Sequence, residues 1–316
     1  MTHPTISVII PLFSQESLAR RAISSVLEQS LRPDELILVD DAQIAWVDSE
    51  YLDAIRKRGI NVKYIKNQVN LGSAASLNLG MSICKTDIFC LFNDDDIFST
   101  NRLSEIIRVS LSSDFNKFWG YSHASIIDSN GKSISTSGYR DIDRAIVESQ
   151  SNFVNFQMVE KINTALSSGN LFLSKKVYDL GYRFDESLKH VHDWYFVQQL
   201  FLQADPVLLN ETTYFYRIHD SNTFKIIDLD ETALECYIVG QKIRSQLWTS
   251  VSRERILELL SFKVLGMAQE GVGSRKNVGV INYRAYAIVD RFISKFHKRS
   301  KIFRLVSYLG KKIEKY

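Results

Sequence analysis

Residues 87–98 read Asp-Ile-Phe-Cys-Leu-Phe-Asn-Asp-Asp-Asp-Ile-Phe, an apolar run of strand character that ends in three consecutive carboxylates, Asp94, Asp95 and Asp96. Like charges crowded at a strand end repel one another, and they are tolerated best where a cation neutralises them. Hard oxygen ligands in a row suit Mg²⁺ or Mn²⁺, ions that keep several waters and bridge a diphosphate to a protein through one or two carboxylates. A second reading is open: an acidic turn capping a helix that starts near Ser99, where Ser and acids are favoured at the first turn.

The preceding ninety residues supply the context. Residues 5–11 and 35–41 are short β-rich runs, the second ending in Asp40-Asp41. Between them, Leu18, Ala22, Ile23, Val26 and Leu27 recur at helical spacing within residues 17–30. Residues 62–65 form a third strand candidate, 74–83 a helix and 88–92 a fourth strand. Strand and helix alternating in this rhythm mean parallel β-α-β units with strands buried on both faces. Ligands of such open sheets bind outside the carboxyl ends of the strands. Residues 11–14, Asp40-Asp41 and Asp94 to Asp96 all fall at such ends.

These segments together resemble family 2 glycosyltransferases of the GT-A fold, over roughly residues 5–224. Ser7-Val-Ile-Ile-Pro-Leu-Phe-Ser14 is similar to their opening strand and nucleotide-binding turn, Leu36 to Asp41 to the strand whose final Asp recognises the base, and Asn70-Leu-Gly72 with Asn78-Leu-Gly80 to their helix entry. Asn93-Asp94-Asp95-Asp96 sits where they place Asp-x-Asp. The resemblance implies an α/β fold, with a Rossmann-like, mostly parallel sheet flanked by helices and a helical C-terminal extension, divided into residues 1–224 and 225–316. It implies donor contacts from Pro11, Phe13, Asp41, Gly72, Asn93, Asp94, Asp95 and Arg217. The register that brings Thr100 to the family's usual Pro makes Asp95 the principal ligand of Mn²⁺ or Mg²⁺ and Asp94 the ribose or diphosphate contact. Departures are Phe13-Ser14 for Tyr-Asn, Ala42-Gln43 for Gly-Ser, Leu77 for Arg and Asn93 for the first acid.

About a hundred residues on, Ser168-Gly-Asn-Leu-Phe-Leu-Ser-Lys-Lys176 is a turn feeding a short apolar strand, and it resembles the acceptor-side strand, with Gly169 and Asn170 toward the acceptor. A helix-like stretch follows with His192-Asp193-Trp194 near its start. In the family an Asp at the head of this helix is the catalytic base, usually after Glu; His192 takes the Glu position here, and with Trp194 it completes the acceptor contacts. Direct inversion at a sugar carbon needs one base to take the acceptor proton, and the leaving diphosphate needs a metal to absorb its charge. Asp193 also reads as an ordinary first-turn acid. The closing segment, Tyr216-Arg217-Ile-His219 with Asn222-Thr223, resembles bacterial cell-surface polysaccharide enzymes, some of them rhamnosyltransferase-like. His219 stands there either as a neutral metal ligand or as a hydrogen-bonded packing residue, and Arg217 either reaches the diphosphate or pairs with Asp193 or Asp220.

The rest of the chain bounds the function. Charge is nearly balanced at +3 over 316 residues. No nucleic-acid module is present, so a nucleic-acid partner is not expected. Cys84, Cys90 and Cys236 lack metal spacing and fit a reducing compartment. Without a secretory signal or an apolar run of about 18 residues, the expectation is a cytoplasmic protein. Residues 228–316 read as three or four helices. Residues 291–316 carry nine Lys and Arg against one acid, beside an apolar stripe of Phe292, Phe296, Ile302, Val306, Leu309 and Ile313. That tail either lies on an anionic inner-leaflet surface, near a lipid-linked acceptor, or packs its stripe on the catalytic half. The expected partners are a UDP- or dTDP-sugar donor and a glycan or lipid-linked acceptor. The rival is a degenerate GT-A protein serving as a scaffold, on the strength of Asn93, Leu77 and His192.

Overall fold

The structure, a computed structural model, describes residues 3–42, 46–135, 154, 156–219, 222, 229–249, 251–252 and 255–256. The chain divides into two units, Met1–Thr249 and Ser250–Tyr316, and every element named below lies in the first. Strands β1 (Ile6–Leu12), β2 (Glu35–Asp40) and β3 (Asn61–Lys66) run parallel, and β4 (Ile88–Leu91) joins the other side of β1, also parallel. β1, β2 and β4 are buried along their whole length, as their unbroken apolar runs require of strands covered on both faces.

Helices α1 (Glu16–Leu27), α2 (Ser49–Arg56), α3 (Ser73–Ile83) and α4 (Arg102–Ser110) provide the cover. Ala22, Ile23 and Val26 of α1 and Leu103 and Ile106 of α4 join Val8, Ile10, Ile88, Cys90 and Phe92 in one core. α3 lies so close to the sheet that a Cβ on Gly80 would collide with the Ile9 side chain.

The second half completes an eight-stranded mixed sheet in the order β3-β2-β1-β4-β7-β6-β8-β5. β5 is Ile97–Phe98, β6 Trp119–Ile127, β7 Phe172–Ser174 and β8 Val207–Arg217. β7 runs antiparallel between β4 and β6, β8 runs parallel to β6 across a bulge at His123, and β5 closes the edge antiparallel to β8. Helices α5 (Phe156–Lys161), α6 (Lys175–Asp179), α7 (His192–Gln203) and α8 (Leu229–Thr249) follow in chain order.

The four expected strands and the helix at residues 74–83 match observed elements to within about a residue at each end. The expected helix 17–30 ends three residues early, with Glu28 as its C-cap. α2 and β6 carry no matching expectation, because α2 is short and β6 mixes Gly, Ser and His with its apolar residues. The three carboxylates do not cap α4: β5 stands between them and the helix, whose N-cap is Asn101. The expected division at 224/225 also differs from the observed units, since α8 belongs with the first. Residues 291–316 lie outside the described residues. No helix among the described residues is long and apolar enough to cross a membrane. Cys84 and Cys90 are buried free thiols in the core elements.

β1 sits at the switch point of this sheet, because the chain leaves it toward β2 and β3 on one side and returns to β4 on the other. The carboxyl ends of β1 and β4 therefore frame the crevice that open α/β sheets use for ligands. The opposite half depends on close β6–β8 contact: a Cβ on Gly120 would overlap the Val207 carbonyl oxygen and come within 2.7 Å of the Phe172 ring. Gly120→Ala is expected to cost about 1–3 kcal/mol or more through overpacking, read as a lower urea midpoint.

Candidate active site

The carboxylates at the β4 exit face three different environments. Asp94 is buried and turns back to β1, where its Oδ2 accepts from the backbone N–H of Phe13 and of Ser14, each at 2.6 Å, and its Oδ1 accepts from Ser14 Oγ at 2.8 Å. These bonds stitch the two strand ends that frame the crevice. Burial, and then the Asp95 charge, push the Asp94 carboxyl up to about 6.

Asp96 is fully buried and turns toward β8, accepting from the Tyr214 hydroxyl, from Arg217 N–H at 2.7 Å and from Asn93 Nδ2 at 3.0 Å. Burial and the Asp95 charge hold its carboxyl well above the usual range. Asp95 keeps its side chain nearer the surface, with Oδ2 2.9 Å from His219 Nε2.

Asn222 builds the loop that presents His219. Its Nδ2 donates to the Arg217 carbonyl at 3.0 Å, its Oδ1 accepts from His219 N–H, and its own N–H reaches the His219 carbonyl at 3.3 Å. Arg217 is fully buried and serves the same loop system: Nε donates to the Asp95 carbonyl at 2.6 Å, and one terminal nitrogen donates to the carbonyls of Asp128 and Ser129 at 3.0 and 2.9 Å. It forms no ion pair with Asp193, and its other terminal nitrogen is buried with no hydrogen-bond partner among the described residues; Asp220 lies outside the described residues.

At the β2 exit, Asp41 is buried and accepts from Asn67 Nδ2, Leu71 N–H and Gly72 N–H, all at 2.8 Å. Gly72 is the N-cap of α3 with φ +86°, a conformation that favours glycine, and so its role here is to let its N–H meet Asp41. Three of the roughly four lone-pair sites of the Asp41 carboxylate are thus used, leaving one for a further donor. Phe13 stands 65% exposed beside this exit, where an unpartnered ring is available for stacking. Pro11, in contrast, is buried within β1 opposite Val39.

The expected acceptor residues divide. Asn170 is fully buried and its amide is spent inside the protein: Oδ1 accepts from Arg102, Ser122 N–H and Ser122 Oγ, and Nδ2 donates to the carbonyls of Ser122 and Ala165. Gly169 lies against the carboxylate segment; a Cβ there would sit 2.6 Å from the Tyr214 hydroxyl and 2.7 Å from Asn93 N. Together they press the 168–170 turn onto Asn93 and tie it to β6. Asn93 itself, in the place of the family's first acid, donates to Asp96 and to Ser167 Oγ at 2.9 Å and accepts from Ser168 Oγ at 3.2 Å. An Asp here would add a fourth like charge and remove those donors.

His192, Asp193 and Trp194 open α7. Trp194 Nε1 donates to the Val159 carbonyl at 2.6 Å, and the His192 ring meets Phe184 edge-on at 5.9 Å. Asp193 Oδ1 accepts from Trp194 N–H at 2.6 Å, within the first turn of a helix whose N-cap is Val191. Burial raises its carboxyl, opposed by the charge of His192 and by hydrogen bonds from backbone amides and the Asn163 side chain. Burial, and then the charges of Asp96, Asp95 and Asp193, hold the Tyr216 phenol well above its usual value.

Four functional positions escaped sequence reasoning. Asn222 and Asp96 stood inside motifs that drew attention, yet only their partners reveal what they do. Asn163 had no signal. Arg102, buried at the start of α4, donates to Ser122 Oγ, Asn170 Oδ1, Thr213 Oγ1 and the Asn170 carbonyl, and lies 4.4 Å from the Phe98 ring centre. Its position three residues past the expected helix start gave no hint of burial.

The model of the family described as Glycosyl transferase family 2 matches residues 7–172, and the chain belongs to that family. Its curated relatives include WcaA of Escherichia coli K12, a glycosyl transferase whose name assigns it to colanic acid biosynthesis, 35% identical over 103 residues, or 32% of this chain and 36% of that protein. The Escherichia coli UDP-Gal:alpha-D-GlcNAc-diphosphoundecaprenol beta-1,3-galactosyltransferase is 29% identical over 106 residues, 33% of this chain and 38% of that one. The chain thus spans little more than a third of these two relatives. The uncharacterized glycosyltransferase RP339 of Rickettsia prowazekii is 24% identical over 92% of this chain and 86% of its own length. Among solved structures, residues 1–349 of S. aureus TarS in complex with UDP-GlcNAc superpose with a TM-score of 0.60 at 16% identity, over 81% of this chain and 72% of that one. That likeness is one of fold, and the fold is GT-A.

The linkage between β4 and β8 is directly testable. Tyr214→Phe removes the hydroxyl that donates to Asp96 and touches Ser167 Oγ at 2.9 Å. Leaving a buried carboxylate short of a donor is expected to cost about 1–3 kcal/mol, seen as a lower urea midpoint with an unchanged m value.

Proposed function

We propose that the protein is a metal-dependent, inverting glycosyltransferase that moves a sugar from a UDP- or dTDP-sugar to a hydroxyl of a glycan or lipid-linked acceptor in bacterial surface-polysaccharide synthesis. The observation that carries the reading is the Asp95–His219 pair at the β4 exit, with Asp94 and Asp96 turned away from it into hydrogen bonds of their own. The complex of TarS with UDP-GlcNAc supports a nucleotide-sugar donor, and the relatives named for colanic acid and for diphosphoundecaprenol support a glycan or lipid-linked acceptor.

Asp95 and His219 fit Mn²⁺ or Mg²⁺. Oδ2 and Nε2 stand 2.9 Å apart, close to the ~3 Å between adjacent ligands of an octahedral ion with bonds of ~2.1 Å. A carboxylate with an imidazole favours Mn²⁺ of the two. Bound there, the ion would neutralise charge on the departing diphosphate. The protein's own residues do the rest. Phe13 offers its ring to the base, and the remaining lone pair of Asp41 accepts from a pyrimidine imide N–H, for which adenine has no match at that edge. Asp193 takes the proton of the acceptor hydroxyl as its oxygen attacks the anomeric carbon and the bond to the diphosphate breaks, which inverts the configuration.

The first experiment is hydrolysis of a panel of UDP- and dTDP-sugars with MnCl₂, which separates an enzyme from a scaffold. Asp95→Ala and His219→Ala are each expected to abolish the Mn²⁺-dependent part of UDP binding by calorimetry; unchanged metal-assisted affinity would remove the site. Asp193→Asn is expected to lower turnover about 10²- to 10⁴-fold with little change in UDP affinity. Because burial raises the Asp193 carboxyl, its base form is lost at a higher pH than that of an exposed Asp. The acid limb of kcat/KM should lie above the ordinary carboxylate range, with activity falling as pH drops through it. A limb at the ordinary value would contradict the assignment.

A further inference from the structure

The loop ahead of the catalytic helix is held by a carboxylate from outside the family-matched region. Residues 189–191 present three consecutive backbone N–H groups just before α7, and one side chain receives all three: Glu235 of α8 accepts from Lys189 N–H at 2.7 Å with Oε1, and from His190 and Val191 N–H at 2.9 and 3.1 Å with Oε2. Glu235 is buried, and Val239 and Ile243 bury the same helix one and two turns on. Further ties join α8 to the same segment: Glu231 meets Lys189 Nζ at 2.7 Å and His190 Nε2 at 3.2 Å, Gln246 donates to the Tyr195 hydroxyl at 2.9 Å, and Lys242 pairs with Asp185.

Val191 occupies the N-cap of α7 and has no side chain able to cap it. The peptide groups that set the direction of the chain into the helix are therefore fixed by Glu235 from another element. Bonds from N–H groups to an ionised acceptor are among the stronger hydrogen bonds in proteins, and three on one carboxylate over-determine the loop. Asp193 lies two residues beyond the last of these amides.

We infer that Glu235 is a positioning residue for the base, holding the 189–191 loop so that Asp193 meets the acceptor hydroxyl. This rests on the assignment of Asp193 made above. Glu235 makes no contact with donor, metal or acceptor in this account; it acts through the backbone entering α7. A shift of about 1 Å at a reacting group can cost as much as 10²-fold in rate. In Glu235→Gln the side chain keeps its size, but one oxygen becomes an NH₂ that cannot accept, so one side of the clamp is lost.

The test is a double-mutant cycle on the full chain, using whichever UDP- or dTDP-sugar of the panel is hydrolysed fastest with MnCl₂. Glu235→Gln and Glu235→Ala should each lower kcat about tenfold or more while UDP affinity by calorimetry stays within about twofold, which also certifies that the donor half is folded. In the Asp193→Asn background, Glu235→Gln should cause no further loss, because the group it positions is already gone. A multiplicative loss in the double variant, equal loss of UDP affinity and kcat, or undiminished kcat in Glu235→Gln would each overturn the inference. Full turnover in Asp193→Asn alone would instead overturn the base assignment and the inference with it, so the two failures are distinguishable.

Discussion

Three adjacent carboxylates at the end of a buried strand repel one another, and the arrangement of the site follows from how that repulsion is relieved. Two unit charges about 4 Å apart interact by ~4 kcal/mol at an effective dielectric of 20. Here the chain alternates their directions. Asp94 goes to the turn after β1, Asp96 goes to β8, and each is surrounded by donors of a different element. Both carboxyls are nevertheless raised by burial and by Asp95. Asp95 alone is left near the surface, and its partner is an imidazole. The outer two carboxylates hold the frame, and the middle one faces His219.

This division makes the second half of the sheet a part of the site and not an attachment to it. β8 carries Tyr214 and Arg217 to Asp96 and leads into His219. The 168–170 turn is pressed against Asn93 so closely that Gly169 has no room for a side chain. Behind it, the buried Arg102 has its charge spread over hydroxyl and amide oxygens and over the ring of Phe98. The residues expected to touch substrate but found buried, Asn170 and Arg217, are the ones that carry this framework. Nearer the surface, Asp95 and His219 face one another across 2.9 Å, Asp41 keeps one lone pair, and the ring of Phe13 is exposed.

How much of this is legible in the sequence depends on whether the signal is local. The parallel strands announce themselves by unbroken apolar runs, and the order and spacing of the motifs at their ends carry the resemblance to the family. The register that assigned the middle carboxylate to a cation is compatible with the exposed placement of Asp95. What stays illegible is where a polar group spends its bonds. Asn170 and Asp41 read alike as polar residues at strand ends, yet one is fully spent and the other keeps a lone pair. Glu235 reads as one acid among several on a helix; only the tertiary approach of α8 to residues 189–191 gives it three amides. The same approach explains why a boundary placed where strand character fades, at 224, differs from the observed division at 249/250.

The central claim is that only the middle carboxylate of the trio, with His219, is available to a divalent cation. Anomalous diffraction at the manganese edge from crystals grown with MnCl₂ and UDP reads this directly. The account predicts one manganese peak within bonding distance of both Asp95 Oδ2 and His219 Nε2, with Asp94 still bonded to Phe13 and Ser14 and Asp96 still bonded to Tyr214. A peak ligated by Asp94 or Asp96, or one that leaves Asp95 and His219 paired to each other, would contradict it.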